Sequence, residues 1–222
     1  MTPRTKEQNE QIRIRRMAQI LKAAADVYLD KGMLMEIRDV AAEAGLGYGT
    51  VYHYYKNKAD LLHDLLSQAI ERAGEILGAS SVATAVASGG GGSARPIAAA
   101  PDGPESCREL AGRLLASWAD DHAFYLACQL GGDHFRTLPR AEAEQLSAAY
   151  REQVLLPLAS LMPPADAASH GADSGGHSPP DAPADPGRQA EWLLAALAGC
   201  ALPSIRRGTL HKEAGQIIQF LF

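Results

Sequence analysis

Tyrosines, lysines and small polar residues are concentrated in one short segment, residues 47–62 (GYGTVYHYYKNKADLL). It holds four of the chain's seven tyrosines, and Val51 is the only purely aliphatic residue between positions 47 and 54. A tyrosine ring packs at an edge while its hydroxyl donates to a phosphate oxygen, and a lysine ammonium group attracts the same anion. This combination indicates a surface that binds a nucleic acid.

Helical spacing divides the segment into an inner and an outer face. On a helix, Val51 and Tyr55 share the side that packs on neighbouring helices, so the other side chains lie outside. We predict that Tyr52 contacts a DNA phosphate. Four further residues are placed to reach bases or to let the backbone approach them: Tyr48, Gly49, Thr50 and His53. The alternative is a tyrosine-rich core helix, which needs a hydrogen-bond partner for each of four buried phenols.

The elements that position this segment are short helices. Apolar residues recur at three- and four-residue steps over 15–31 and over 37–44, which predicts two amphipathic helices that end at Gly32 and Gly45. A third helix is predicted over 47–55. Two short helices joined by a glycine-containing turn form the helix-turn-helix pattern, whose second helix enters the major groove of DNA. Residues 47–55 are therefore the predicted recognition helix.

A fourth helix is predicted to follow directly. Asn57 is a favourable N-cap residue, and Asp60 stands three residues later, as in a capping box. The apolar run after it begins with Leu61 and Leu62. We expect this helix to leave the DNA-binding region and enter the rest of the chain.

Two segments rich in Gly, Pro, Ala and Ser interrupt the remaining chain. They cover about 80–104 and 162–187 and read as flexible linkers or long loops, because such residues cannot build a core. We predict a helix-turn-helix domain with a basic N-terminal arm over 1–58. Residues 59–222 are predicted to form a helical regulatory and dimerisation domain.

Helical patterns fill the chain between and after these segments. One begins at Ser106, where SCRE has capping-box spacing, and another covers about 141–161. Asp185 and Pro186 suit the start of a further helix. The residues from 188 to 222 combine a stretch of small residues with an apolar stripe, so we predict that a homodimer forms through them.

Charge and composition limit the class of protein. The net charge is −5, but residues 1–58 carry ten Lys/Arg against seven Asp/Glu, and the remainder carries eleven against nineteen. A basic end on an acidic body indicates that one end binds a polyanion. Three cysteines without short spacing give no disulfide framework, and no apolar run reaches the length of a membrane span. We expect a soluble cytoplasmic protein.

Residues 16–62 resemble the N-terminal domain of the tetracycline-repressor (TetR) family of transcriptional regulators. The resemblance rests on the stretches AAADVYLDKG, IRDVAAEAG, GTVYHYY and KNKADLL. It implies an all-α fold, with an N-terminal three-helix helix-turn-helix domain and a C-terminal helical domain for ligand binding and dimerisation. It also implies a dimer that binds a palindromic operator and is released by a small-molecule effector. In the basic arm, Arg15 and Arg16 are expected to add sequence-independent affinity for DNA.

Two positions depart from the family's pattern. Met35 and Glu36 stand where members often carry a threonine that meets a phosphate, so that contact is not transferred to this chain. Gly47 stands where serine or threonine commonly caps the recognition helix, and glycine is a weaker N-cap. Lys58 lies at the unfavourable end of the helix dipole, and a docked phosphate would reverse that effect. Together with the resemblance, this predicts that Lys58 contacts a DNA phosphate, and a solvated surface lysine is the alternative.

The C-terminal part contains no catalytic motif. It has no phosphate-binding glycine loop and no nucleophile-elbow or zinc-protease motif, so we do not predict an enzyme or a cofactor. His and Asp residues near positions 120–134 are scattered as capping and surface residues are, and no metal site is predicted. An apolar ligand pocket with a few polar groups is predicted instead. Its candidate residues, for each of which ordinary core packing is the alternative, are Leu114, Trp118, Phe124, Tyr125, Cys128, His134 and Phe135.

Three functions remain open. The first is a ligand-responsive repressor that binds operator DNA, which we favour. The second is a helical protein–protein interaction module without sequence-specific DNA binding, and the third is an all-helical hydrolase or transferase. Salt-dependent, sequence-specific DNA binding separates the first from the other two.

Overall fold

The structure, a computed structural model, describes residues 6–87, 107–161 and 185–222, and every regular element within these ranges is a helix. The all-α prediction is confirmed. Helix α1 spans Lys6–Lys31 and begins nine residues before the predicted start, because its first turns are rich in polar helix formers that produce no apolar stripe. Ile12 and Ile14 in this extension are exposed.

The turn after α1 and the next two helices follow the predicted helix-turn-helix pattern. A 3₁₀ turn covers Gly32–Leu34, α2 spans Ile37–Glu43 and α3 spans Tyr48–Tyr54. Gly32 and Gly45 both have positive φ, +57° and +61°, a conformation that glycine adopts without steric cost. After Gly45, the backbone N–H of Leu46 donates to the Ala41 carbonyl at 2.9 Å, which closes the end of α2 as in a Schellman motif.

Helix α4 spans Lys58–Ala87 and connects the two parts of the chain. Asn57 caps it as predicted, since its Oδ1 accepts from the Asp60 N–H at 2.8 Å. The helix packs against both α1 and α6. The predicted domain boundary at residue 58 coincides with the first residue of this helix. The predicted linker over 80–104 is wrong for 80–87, which continue the helix. Residues 88–104 and the predicted cap at Ser106 lie outside the described residues.

The middle helices contain one element that the sequence patterns missed. Helix α5 spans Cys107–Asp120, α6 spans His122–Gly131 and α7 spans Arg140–Tyr150. Neither predicted helical pattern included α6. A π-helical segment, Arg151–Leu155, joins α7 to α8 (Leu156–Leu161), so residues 140–161 form one continuous helical stretch, close to the predicted 141–161. Segments of π-helix occur often at functional sites.

Helices α9 (Pro186–Arg206) and α10 (Leu210–Leu221) complete the C-terminal part. The side chain of Asp185 accepts from the Gly187 N–H and caps α9, as predicted. Most of the second predicted linker, from 162 to 184, lies outside the described residues. Helix α10 packs on α5 and α9, whereas α9 also contacts α6 and α8. Within the described residues, no helix is long and apolar enough to cross a membrane.

Candidate nucleic-acid interface

The recognition helix α3 presents most of its side chains to solvent. Val51 is its one buried residue, at 0% exposure, whereas Tyr48 is 54% and Tyr52 is 42% exposed. Gly49, Thr50 and His53 are exposed as well. The predicted inner and outer faces are thus the faces that the structure has, and α3 offers a continuous surface of tyrosine rings, a small residue and hydrogen-bonding groups.

Two tyrosines on this surface stack on each other. The rings of Tyr48 and Tyr52 lie 5.7 Å apart between centroids with an interplanar angle of 23°. The Nζ atom of Lys56 lies 4.8 Å from the centroid of the Tyr52 ring, a cation–π distance. Sequence reasoning gave Lys56 no role, because Lys56 follows the end of α3 and helical spacing does not place it against Tyr52.

The buried end of the recognition segment is fixed to α4. Tyr55 is buried, and its hydroxyl donates to the carboxylate of Asp64, which also accepts from Gln68 Nε2 at 2.9 Å. Burial, and then the neighbouring Asp64 carboxylate, raise the pKa of Tyr55 well above its usual range. This pair of hydrogen bonds gives a buried phenol its partner and holds the end of α3 against α4.

The two arginines that are predicted to attract DNA lie in the N-terminal half of α1. Arg15 is exposed, and Arg16 donates to Gln19 Oε1 at 2.9 Å. The amide nitrogen of Gln19 in turn donates to the Ala44 carbonyl at 2.6 Å, at the end of α2. Arg16 is therefore connected through one side chain to the turn that precedes the recognition helix.

Lys58 lies in the first turn of α4 and contacts the turn that follows α1. Its Nζ atom donates to the Met33 carbonyl at 2.6 Å, in the 3₁₀ turn that follows α1. Nearby, Asp39 accepts from the Glu36 backbone N–H at 3.0 Å and pairs with Lys31 at 2.8 Å. The hydrogen bond from Lys31, and then that from the Glu36 N–H, lower the pKa of Asp39. Glu36 is thus part of the start of α2, as its sequence position indicates.

The candidate ligand residues separate into a buried group and a surface residue. Leu114, Trp118, Phe124, Tyr125 and Cys128 are at most 3% exposed and lie together between α5 and α6. Trp118 packs edge-on against Phe124 and Tyr125, with centroid distances of 6.3 and 5.5 Å. Phe135 is also buried, edge-on to Tyr150. His134 is exposed in the following turn, where both it and Phe135 have positive φ.

Polar groups occur within this buried cluster. The Tyr125 hydroxyl donates to the Ala198 carbonyl of α9 at 3.2 Å. Burial raises the pKa of the Cys128 thiol to about 12. The indole N–H of Trp118 faces that thiol and moderates the rise in its pKa, and among the described residues this buried N–H has no partner of good hydrogen-bond geometry. A thiol is a weak acceptor, so this donor is poorly satisfied, which is unusual for a buried polar group.

A groove of about 560 Å³ lies apart from that cluster, at the surface. Its described lining is His134, Arg136, Leu138, Arg140, Ala143, Glu144 and Ser147. Thus His134 is near a surface groove rather than among the buried aromatic rings.

The histidines and aspartates near positions 120–134 have other partners. His122 pairs with Asp26, Asp121 caps α6 and pairs with Arg72, and Asp120 pairs with His211. In the described parts of the chain, no three His, Cys, Asp or Glu side chains are grouped as metal ligands are.

The comparisons with known proteins agree with the helix-turn-helix geometry. Residues 20–65 match the sequence model of the family described as "Bacterial regulatory proteins, tetR family". The matched segment runs from the core of α1 through α3 into α4, so it contains the exposed face of α3, Lys56 and Lys58, but not Arg15 and Arg16. No curated protein matches the chain.

Solved structures with similar folds cover nearly the whole chain. The fatty acid degradation regulator FadR from Bacillus halodurans is 16% identical, with a TM-score of 0.52 over 93% of this chain and 94% of that one. A structure described as "Molecular basis for control of antibiotic production by a bacterial hormones" is 21% identical, with a TM-score of 0.51 over 94% of each chain. At these identities the likeness concerns the fold.

Proposed function

We propose that this chain, which carries the DNA-binding domain of the tetR family of bacterial regulatory proteins in its N-terminal part, is a ligand-responsive transcriptional repressor. It acts in the cytoplasm as a homodimer, binds a palindromic operator, and leaves that operator when a small-molecule effector binds. Residues 1–58 form the DNA-binding unit and residues 59–222 form the regulatory and dimerisation unit.

The observation that carries this proposal is the exposed face of α3. A helix that packs through a single buried residue and exposes two stacked tyrosines, a threonine and a histidine is suited to the major groove. Tyr48, Thr50 and His53 reach bases, Gly49 allows close approach, and Tyr52 contacts a phosphate. Arg15 and Arg16 add sequence-independent attraction.

The dimer is proposed to form through α9 and α10. Trp192 is 61% and Phe220 is 82% exposed, and Phe222 is exposed as well. After Trp192, at helical spacing on the same side of α9, the small residues Ala195, Ala196 and Gly199 are exposed and permit close helix approach. Exposed aromatic groups beside small residues fit a helix-to-helix interface between two copies.

The effector is proposed to bind in the cluster around Trp118. The indole N–H of Trp118 supports this position, because it faces only the weakly accepting Cys128 thiol and a ligand with a better hydrogen-bond acceptor would satisfy it. Leu114, Phe124, Tyr125 and Cys128 would supply the apolar surroundings, whereas His134 lines the separate surface groove and is not included in this site. A ligand that lowers DNA affinity must itself bind the DNA complex less tightly, by the same factor.

The test is DNA binding by the full chain. Duplexes enriched from a random pool by the purified protein would be compared with scrambled versions of the same composition at several salt concentrations. The proposal predicts an inverted-repeat consensus, a clear preference for it over the scrambled duplex, and affinity that falls steeply with salt. Equal affinity for both duplexes at every salt concentration would contradict sequence-specific regulation. Loss of all salt-dependent DNA affinity would favour the protein–protein interaction module instead.

A further inference from the structure

Two lysines flank Asn57, and the structure gives them different partners. Lys58, in the first turn of α4, donates to the Met33 carbonyl at 2.6 Å. Met33 lies in the turn that ends α1, so this contact joins parts of the chain that are 25 residues apart. The carbonyls at the end of a helix carry partial negative charge, which makes them favourable partners for an ammonium group.

Lys56 is directed to the recognition helix instead. Its Nζ atom lies 4.8 Å from the centroid of the Tyr52 ring, and Tyr52 is stacked on Tyr48. The three residues follow each other at four-residue steps, and all three are exposed. A lysine held on an aromatic face keeps its charge accessible while its flexible stem is ordered, so it loses less freedom when an anion binds.

We propose that Lys56, positioned by the ring of Tyr52, supplies the cationic phosphate contact at the end of the recognition helix, and that Lys58 is a structural tie between α4 and α1. This rests on the proposed function. It replaces the phosphate contact that the sequence predicted for Lys58. The Lys58 ammonium is held at the Met33 carbonyl through one of its three N–H groups. Within the described residues, Lys56 contacts only the exposed Tyr52 ring, so all three of its N–H groups are available to an anion.

Matched charge-removing substitutions separate the two lysines. Lys56→Met and Lys58→Met each remove one positive charge and keep an unbranched side chain, and Arg151→Met does the same at an exposed site in the π-helical segment. The logarithm of the dissociation constant is measured against the logarithm of salt concentration for the enriched duplex and its scrambled version. Lys56→Met is expected to reduce the slope by about 0.9 on both duplexes, because one phosphate contact is lost.

The other two variants are expected to keep the wild-type slope. Lys58→Met should instead lower the melting temperature of the protein without DNA, since it removes the contact to Met33. A reduced slope for Lys58→Met together with an unchanged slope for Lys56→Met would overturn the inference. Wild-type protein that prefers no duplex would show that the proposed function itself has failed, a result distinct from a failure of the lysine assignment.

The role of Tyr52 as a positioning residue has its own test. Tyr52→Phe keeps the ring and removes the hydroxyl, whereas Tyr52→Leu removes the ring as well. The loss of affinity caused by Lys56→Met should be full in the Tyr52→Phe background and about two- to fivefold smaller in the Tyr52→Leu background, the size of an exposed cation–π contact. Equal losses in both backgrounds would contradict positioning by the ring.

Discussion

The Nδ1 atom of His122 lies 2.6 Å from Oδ1 of Asp26, and this contact joins the first residue of α6 to the C-terminal part of α1. The adjacent residue, Asp121, pairs with Arg72 of α4 at 2.8 Å. The start of α6 is therefore tied to α1 and to α4, and α4 also holds Tyr55 at the end of the recognition helix through Asp64. Because α6 also supplies most of the buried aromatic cluster, a ligand that moves α6 would act directly on these two contacts.

The energy of the contact between Asp26 and His122 can be measured by removing each side chain alone and both together. In a double-mutant cycle with Asp26→Ala and His122→Ala, we expect a coupling energy of about 0.5 to 1 kcal/mol, because both side chains are only partly shielded from water. Urea unfolding at a fixed protein concentration measures it. Asp30→Ala, one turn further along α1 at an exposed site, serves as the control and should add to His122→Ala without coupling. Additive effects for Asp26 would mean that the contact contributes nothing.

Substitutions on the buried face of α3 should lower stability, whereas substitutions on its exposed face should leave stability nearly unchanged. Val51→Ala removes two methyl-sized groups from a fully buried site and is expected to lower the free energy of unfolding by about 2 kcal/mol. Tyr48→Ala and Thr50→Ala change exposed side chains and should stay within about 0.5 kcal/mol of wild type. Thermal melts followed by circular dichroism check both. A large loss for Thr50→Ala would mean that the outer face of α3 is part of the core.

The sequence predicted the helix-turn-helix region well because its signals are local. Glycines end α1 and α2, Asn57 caps α4, and Val51 and Tyr55 face inward as their spacing requires. Helix α6 was missed for a physical reason: from Ala123 to Cys128 every residue is buried, so the segment is apolar on all sides and has no stripe to detect. The partner of Lys58 lies 25 residues away, which no local pattern encodes.

The proposed dimer face can be tested with one glycine. An added Cβ at Gly199 meets nothing within 4 Å in the described residues, so Gly199→Gln should leave the fold of the protomer intact. In a dimer packed through α9, the longer side chain would separate the helices. We expect sedimentation to show monomers at micromolar concentration. An added soluble quencher should also quench tryptophan fluorescence more strongly, because the partner no longer covers Trp192. Ala116→Gln, at an exposed position of α5, should leave the dimer unchanged, and an intact Gly199→Gln dimer would place the interface elsewhere.

Stability should fall with acid through Glu213, which joins α10 to the end of α9. Its carboxylate accepts from the Ser204 hydroxyl and from Arg207 at 2.7 Å, and these hydrogen bonds, the one from Ser204 first, lower its pKa below the usual 4.5. A lowered pKa means that the contribution is complete above about 4.5 and is lost as pH falls through the lower folded-state value.

Melting temperatures of wild type and Glu213→Gln between pH 3 and 8 test this sign. The two proteins should differ most near neutral pH and converge in acid. Glu144→Gln, which breaks an exposed pair with Arg140, is the control and should change little at any pH. A difference between wild type and Glu213→Gln that grows in acid would contradict the assigned pKa direction.

The most direct test of the central claim compares Tyr48→Ala with wild type on the enriched duplex and its scrambled version. The central claim is that α3 reads bases through its exposed face. Dissociation constants measured at one fixed salt concentration should show a loss of about 1 to 3 kcal/mol on the enriched duplex and no loss on the scrambled one. An equal loss on both duplexes, or no loss on either, would contradict base reading by α3.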